Sequence, residues 1–410
     1  MFRVVSICFR NTPPFSLTGI DGYLYGRGAT DNKGPVLAAL FGVSEMWRAE
    51  ALPANVVLVI EGEEESGSDG IAAALSSCDS WLKKSGPVDC IMIANTYWLS
   101  DDVPCVTYGL RGVVRATLSI AGLSENLHSG VDGGVVAEPL VDLVQLLGTL
   151  RDSKGQVNVP HFYDNVREPS QDQLDSYSRL SLNCDKYAVH PIGPAAAAAS
   201  SKANTSDDSN SDNPADDGHT FLSMVPSSLP PKAQILSARW DRPTLSIHNV
   251  HVSGPGTNTV IPSSASAKVS MRLVPDQSVE FITHQFRAHV VSKYRQLNTR
   301  NHLEIDITDT AGWWLGEKDG LFFEAAKQAI RKVWEVEPQQ VREGGTIPVT
   351  RFLEDWFNVT KTKNQSGNYS MACVFLFSLG SCCSSASGPV LRCRAPPQRT
   401  YPRAQSAAGP

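Results

Sequence analysis

The chain has 410 residues, 41% apolar and 19% charged, enough to bury a substantial core in two or three domains. A net charge of −6 argues against a nucleic-acid surface, which needs a concentrated basic face. Apolar runs such as Val56–Ile60 and Ala372–Leu379 fall far below the ~20 residues that span a bilayer, and the start, MFRVVSICFRNTPP, lacks the apolar core of a signal peptide. The expectation is a cytoplasmic protein with no membrane or nucleic-acid partner.

The first informative segment is GYLYGRGATDNKGP, Gly22 to Pro35. Gly26, Gly28 and Gly34 allow a tight turn, and Pro35 suits the first position of a helix running through VLAALFGVSEMWRAE. Val56–Ile60 is a β-branched run that predicts a buried parallel strand ending at Glu61, and Cys90–Ala94 predicts another ending at Asn95. Alternating strand, turn and helix is the mark of an α/β sheet covered by helices. The polar residues that could do chemistry fall just past the strand ends, where open α/β sheets place their sites.

The middle of the chain follows a different pattern. Val113–Ala121 alternates as a strand and is followed by a loop with His128, then by a helix from about Glu138 to Leu150. Strands at Leu245–Val252 and Ala267–Leu273, a helix over about Ser278–Leu297 and a strand at Leu303–Ile307 complete a β-α-β-β-α-β order, that of a ferredoxin-like domain. It is inserted in the α/β domain, which resumes near Gly312 with a helix at Leu321–Val333. The expected boundaries are 1–111 and 311–358 for the α/β domain and 112–310 for the insertion.

Two segments have the composition of unfolded chain. Pro194–Gly218 is an alanine run followed by Ser, Asn and Asp, expected to be a disordered surface insertion. Val359–Pro410 holds six Lys/Arg and no Asp or Glu, and is expected to be an aberrant, disordered tail, either an interaction segment or sequence foreign to the fold. Four of the nine cysteines crowd this tail without C-x-x-C spacing, so neither a zinc knuckle nor a redox pair is expected.

Several residues are candidates for chemistry, each with a plainer alternative. A carboxylate at Asp31 could bridge two metals ~3.5–4 Å apart, or simply sit at a helix N-terminus and gain from its dipole. Glu61, Glu63, Glu64 and Glu65 place four carboxylates within five residues, a repulsion relieved by a cation or by solvent. In such a cluster one acid can ligate metal while its neighbour takes a proton from water. His128 lies in a glycine-rich loop, where a lone histidine is commonly structural or merely exposed. The segments GPGTNTVIP (Gly254–Pro262) and Gly344–Thr346 could offer backbone N–H groups to a substrate carboxylate, or be routine turns.

In order, GRGATDNKGP, EGEEESGS, LHSGVDGG, GTNTVIP, MRLVP and EGGTIPVT resemble the di-zinc metallopeptidases of the aminoacylase, carboxypeptidase and carnosinase type, over about Asn11–Phe357. The resemblance implies an α/β catalytic domain with an inserted ferredoxin-like lid that dimerises, and two zinc ions per subunit. It implies Asp31 as the bridging ligand, Glu65 as a ligand of one metal, Glu64 as general base and His128 as an oxyanion donor reaching a neighbouring subunit. Thr259, Arg272 and Thr346 match substrate-binding positions.

The chain departs from the pattern in three places. No H-x-D segment precedes the GRGATD motif; residues 1–10 read MFRVVSICFR. The final histidine expected some 20–30 residues after EGGTIPVT falls where the composition changes, and no histidine follows His302. Asn95 stands where active dipeptidases carry aspartate, and an amide oxygen is a weak zinc ligand. Asn95, together with SLTGIDGYLYGRGATDNKGP, more closely resembles the peptidase-like subunit of the fungal glutathione-degrading complex, which works with a glutamine-amidotransferase-like partner and usually carries a WD-repeat region. The expectation is a hydrolase of glutathione or small peptides, truncated at both ends of its domain, with weak or absent zinc. A non-catalytic dimerising scaffold is the alternative.

Overall fold

The computed structural model describes residues 12–20, 23–64, 67–84, 88–96, 98–99, 103–180, 231–357 and 372–378. The expected insertion at 194–218 and most of the expected tail lie outside them. The chain divides into two compact units: Met1–Asn95 with Leu353–Pro410, and Thr96–Phe352.

The first unit opens with a small antiparallel hairpin, β1 (Thr18–Ile20) with β2 (Tyr23–Tyr25). An irregular turn at Ala29–Lys33 then leads into the helix Gly34–Arg48, which carries proline in its first turn. Strands β3 (Asn55–Glu61) and β4 (Cys90–Ile93) follow, with the helix Ile71–Lys84 between them.

The second unit contains two sheets. The larger uses β6 (Gly112–Ala121), β8 (Thr244–Val252), β10 (Ser264–Leu273) and β11 (His302–Ala311), in the order β11-β6-β10-β8, every neighbour antiparallel. The helices Pro139–Gly148 and Val279–Gln296 fill the two crossovers, which makes this the expected ferredoxin-like fold. Its core follows from period-two and period-3.6 patterning. Val114, Ala116, Leu118 and Ile120 point from β6 to one face, where Leu143 and Leu146 of one helix, Leu150 just beyond it, and Ile282, Phe286 and Val290 of the other cover them. Ser278 caps the second helix, its hydroxyl accepting from Phe281 N at 3.2 Å.

The smaller sheet joins β12 (Trp314–Leu315), β5 (Cys105–Leu110) and β13 (Gln339–Glu343), with β5 and β13 parallel. Beside it, the helices Gln171–Arg179 and Pro231–Trp240 close a second core of Tyr177, Leu180, Ala233, Leu236, Trp240 and Val341. Neither helix has a clear sequence signal, since one is mostly polar and the other follows the low-complexity stretch. The helix Leu321–Trp334 lies at its expected place.

The chain returns to the first unit through the helix Pro348–Phe357 and then β14 (Ala372–Ser378). Strand β14 pairs in parallel with both β3 and β4 and lies between them. This corrects the expectation that everything beyond Asn358 is foreign to the fold. The run ACVFLFS is short, apolar and rich in β-formers, so a slot between two parallel strands suits it despite its unpromising flanks.

Candidate active site

The parallel sheet of the first unit sets one half of the candidate residues. Because β3 and β4 both run parallel to β14, their carboxyl ends leave the same edge. Glu61 ends β3, Glu63 and Glu64 follow it, and Asn95 follows β4 at that edge. Asp31 reaches it through its neighbour: the buried Asn32 donates from Nδ2 to Ala94 O at 2.5 Å, tying the Gly28–Gly34 turn to the residue before Asn95. Gly28 takes a left-handed φ of 71° to make that turn. The structure therefore brings Asp31, Glu64 and Asn95 to one sheet edge, while Glu65 lies outside the described residues. Asn32 was missed by sequence reasoning; its only signal is a position next to the candidate ligand.

The acidic turn after β3 is electrostatically loaded. Burial holds the Glu61 carboxyl above its ordinary value, the Ser68 hydroxyl donating at 3.1 Å draws it down, and neighbouring Glu63 pushes it up.

The second unit pairs the other candidates. Strands β7 (Leu127–His128) and β9 (Val260–Ile261) zip His128 opposite Val260, and Ser129 N donates to Thr259 O at 2.8 Å. His128 is exposed, and its Nδ1 accepts from Gly130 N at 3.1 Å. With Nδ1 accepting, the neutral ring carries its proton on Nε2 and presents a donor. Arg272, at the end of β10, donates from Nη1 to Thr346 Oγ1 at 2.6 Å, across 74 residues of sequence. Burial, then nearby Arg115, lowers the Arg272 guanidinium from its usual value, and Glu343 opposes the shift.

The metal requirement can be tested against the donors present. Zinc takes four ligands at a structural site and three protein ligands at a catalytic one. Among the described residues, no group of three His, Cys, Asp or Glu side chains could hold a metal ion. The described sheet edge offers the carboxylates of Asp31, Glu61, Glu63 and Glu64 and the Asn95 amide, with no histidine among them. Because no three of the described acids, histidines or cysteines converge, the described residues by themselves do not complete a di-metal centre.

With this geometry, the comparisons identify the class. A family model described as peptidase family M20/M25/M40 matches residues 7–355, and the chain belongs to that family. The metallopeptidase resemblance and the fold expected from it are thereby borne out, with an α/β catalytic domain and an inserted ferredoxin-like domain.

Among individual relatives, the chain is 32% identical over 350 residues to the probable di- and tripeptidase DUG2 of Saccharomyces cerevisiae, covering 85% of this chain and 35% of that protein. It is 35% identical over 348 residues to the human Beta-Ala-His dipeptidase, covering 84% and 62%. It is 34% identical over 352 residues to the Cys-Gly metallodipeptidase dug1 of Schizosaccharomyces pombe, covering 84% and 66%. The chain thus spans between about a third and two thirds of the length of these relatives. Human carnosine dipeptidase 1 superposes with a TM-score of 0.68 at 32% identity, over 91% of this chain and 69% of that one.

Proposed function

We propose that this chain is a hydrolase of amide bonds in small peptides or glutathione, with its metal held weakly where Asn95 stands in place of a carboxylate. The observation that carries the reading is the 2.6 Å contact between Arg272 and Thr346. It sets a partly buried guanidinium beside a hydroxyl, a pair suited to the carboxylate of a short peptide. The similarity to proteins named as di- and tripeptidases supports the same substrate class and favours hydrolysis over a scaffold role.

In this reading residues 1–111 and 311–358 form the catalytic domain and 112–310 the lid. Asp31, Glu65 and Asn95 would hold the metal, zinc in the resemblance, with Asn95 the weakest donor. Glu64 takes the proton from the attacking water, and His128 offers Nε2–H to the charge that grows on the carbonyl oxygen. Thr259, Arg272 and Thr346 hold the substrate.

A cytoplasmic homodimer joined through the lid belongs to the same proposal. Strand β8 is an edge of its sheet and exposes Ile247, Val250 and Val252, the kind of edge that another strand covers. A glutamine-amidotransferase-like subunit is the proposed further partner. No helix among the described residues is long and apolar enough to cross a membrane.

Zinc content after dialysis against a mild chelator, measured beside cysteinylglycine hydrolysis with zinc added back, tests the proposal. Substoichiometric zinc, and hydrolysis only with excess metal that Glu64→Gln abolishes, is the expected result. Near-stoichiometric zinc after dialysis would overturn the weakened site. A folded chain that hydrolyses nothing at any zinc concentration would overturn the hydrolase.

A further inference from the structure

Arg111 lies at the junction of β5 and β6, in the run Gly109-Leu-Arg-Gly112. The register of β6 with β10 pairs Gly112 with Leu273, which places Arg111 beside Arg272 at the end of the neighbouring strand. Gly112 has no room for a side chain: a Cβ there would lie 2.8 Å from Ala311 O and 2.9 Å from Trp313 N, so the backbone at this junction is held tightly.

From that junction Arg111 grips the loop after β13. Its backbone N donates to Gly345 O at 3.1 Å and its Nε to Gly344 O at 2.8 Å. Its Nη1 donates to Arg242 O at 3.1 Å, in the turn after the Pro231–Trp240 helix. Gly344 lies so close that a Cβ would meet Arg239 O at 3.0 Å and Arg111 Nη2 at 3.1 Å. The residue after Gly345 is Thr346, whose hydroxyl accepts from Arg272. Arg111 therefore fixes the two carbonyls immediately before the hydroxyl that Arg272 holds.

Its charge environment is equally informative. Among the described residues Arg111 makes no salt bridge; its guanidinium bonds only main-chain carbonyls. Burial, then the charge of Arg272, brings its guanidinium down to about 10, with Glu343 opposing and Arg239 adding to the effect. The like charges of Arg272 and Arg239 act on Arg111 from nearby, and Glu343 is the acid that opposes them.

We infer that Arg111 is a positioning residue: it holds the Gly344–Thr346 loop so that Thr346 meets Arg272, and adds charge that favours a carboxylate ligand there. The inference rests on the substrate reading above. Its Nε and Nη1 each donate to a main-chain carbonyl, so the role assigned to it is to hold the loop.

The test uses the full chain and two probes, glycylglycine and its C-terminal amide, with affinities measured by calorimetry for the native chain, Arg111→Met and Arg111→Lys. The native chain should prefer the free acid by about tenfold, a factor typical of one charge-assisted hydrogen bond. Arg111→Met should reduce that preference to about twofold or less, with Arg111→Lys restoring part of it through the charge alone.

An equal loss of affinity for both probes in Arg111→Met, or no loss, would overturn the inference. Hydrogen exchange across residues 343–349 separates its failure from that of the substrate reading. If the native chain shows no preference for the acid, the substrate reading fails. The loop should still exchange faster in Arg111→Met, and unchanged exchange would defeat the positioning role too.

Discussion

Replacing Arg342 with methionine should loosen the core under the loop that carries Thr346. Arg342 lies on β13, one residue before Glu343, and donates from Nη1 to Asp241 Oδ1 at 2.7 Å. The pair is sealed, with side-chain exposures of 14% for Arg342 and 3% for Asp241. The same Oδ1 also accepts from Tyr177 Oη at 3.0 Å and Gln173 Nε2 at 2.9 Å. Removing the cation leaves a buried carboxylate with neutral donors and the lesser influence of the Arg242 charge, a change that costs ~3–5 kcal/mol. The methionine stem keeps the aliphatic contact beside Gly109, though the guanidinium over the Tyr108 ring is lost with the charge.

Hydrogen exchange of peptides from Gln171–Arg179 and Pro231–Trp240 is the suitable assay, because it reads this core apart from the rest of a two-unit chain. A loss of that size speeds exchange through subglobal opening by about 10²–10³-fold or more. The pH dependence has a definite sign. Burial already raises the Asp241 carboxyl above its ordinary value, and loss of Arg342 raises it further. A carboxyl with a raised folded-state pKa favours the folded form at low pH, and that contribution is lost as pH rises through the folded pKa. The deficit of Arg342→Met relative to the native chain should therefore grow from pH 5 to pH 8. Adding Asp241→Asn should recover most of it, since no uncompensated charge then remains. A deficit under ~1 kcal/mol, or one that shrinks with rising pH, would refute the buried-charge account.

Phe286→Ala should destabilise the ferredoxin-like core by ~3–5 kcal/mol, read by exchange in β6 and the Val279–Gln296 helix, because the ring is fully buried. Gly254→Ala should disorder the loop that leads to Thr259. Its φ is +82° and a Cβ would lie 2.2 Å from Asn126 Nδ2, so nuclear magnetic resonance shifts at Thr259 and His128 should move while β6 stays unchanged. Val374→Pro should collapse the parallel sheet of the first unit, since a central strand cannot spare its N–H. Survival of a stable proteolytic fragment ending near Asn358 would show instead that β14 is dispensable.

Much of the protein was legible in local pattern. Period-two alternation in β6 and an apolar helical face at Ile282, Phe286 and Val290 define the ferredoxin-like unit, because burial on one side imposes those periods on the chain. The β-branched run before Glu61 and the short apolar run before Asn95 marked parallel strands, although both are half-buried to exposed where burial was expected, and the glycines around Asp31 marked a turn. The candidate residues were found by their order along the chain, which carries the family pattern without any folding.

Other features depend on contacts that no local window holds. The run ACVFLFS is apolar either way, and only pairing with β3 and β4 makes it a central strand. The Gln171–Arg179 helix is mostly polar, and packing of Tyr177 against Trp240, with ring centroids 5.1 Å apart, gives it a buried side. The meeting of Arg272 with Thr346 spans 74 residues, and that of Arg111 with Gly344 spans 233. Chain order determined which residues could carry the chemistry. Long-range strand pairing and the satisfaction of buried charge decided which of them meet, because those terms depend on the whole fold at once.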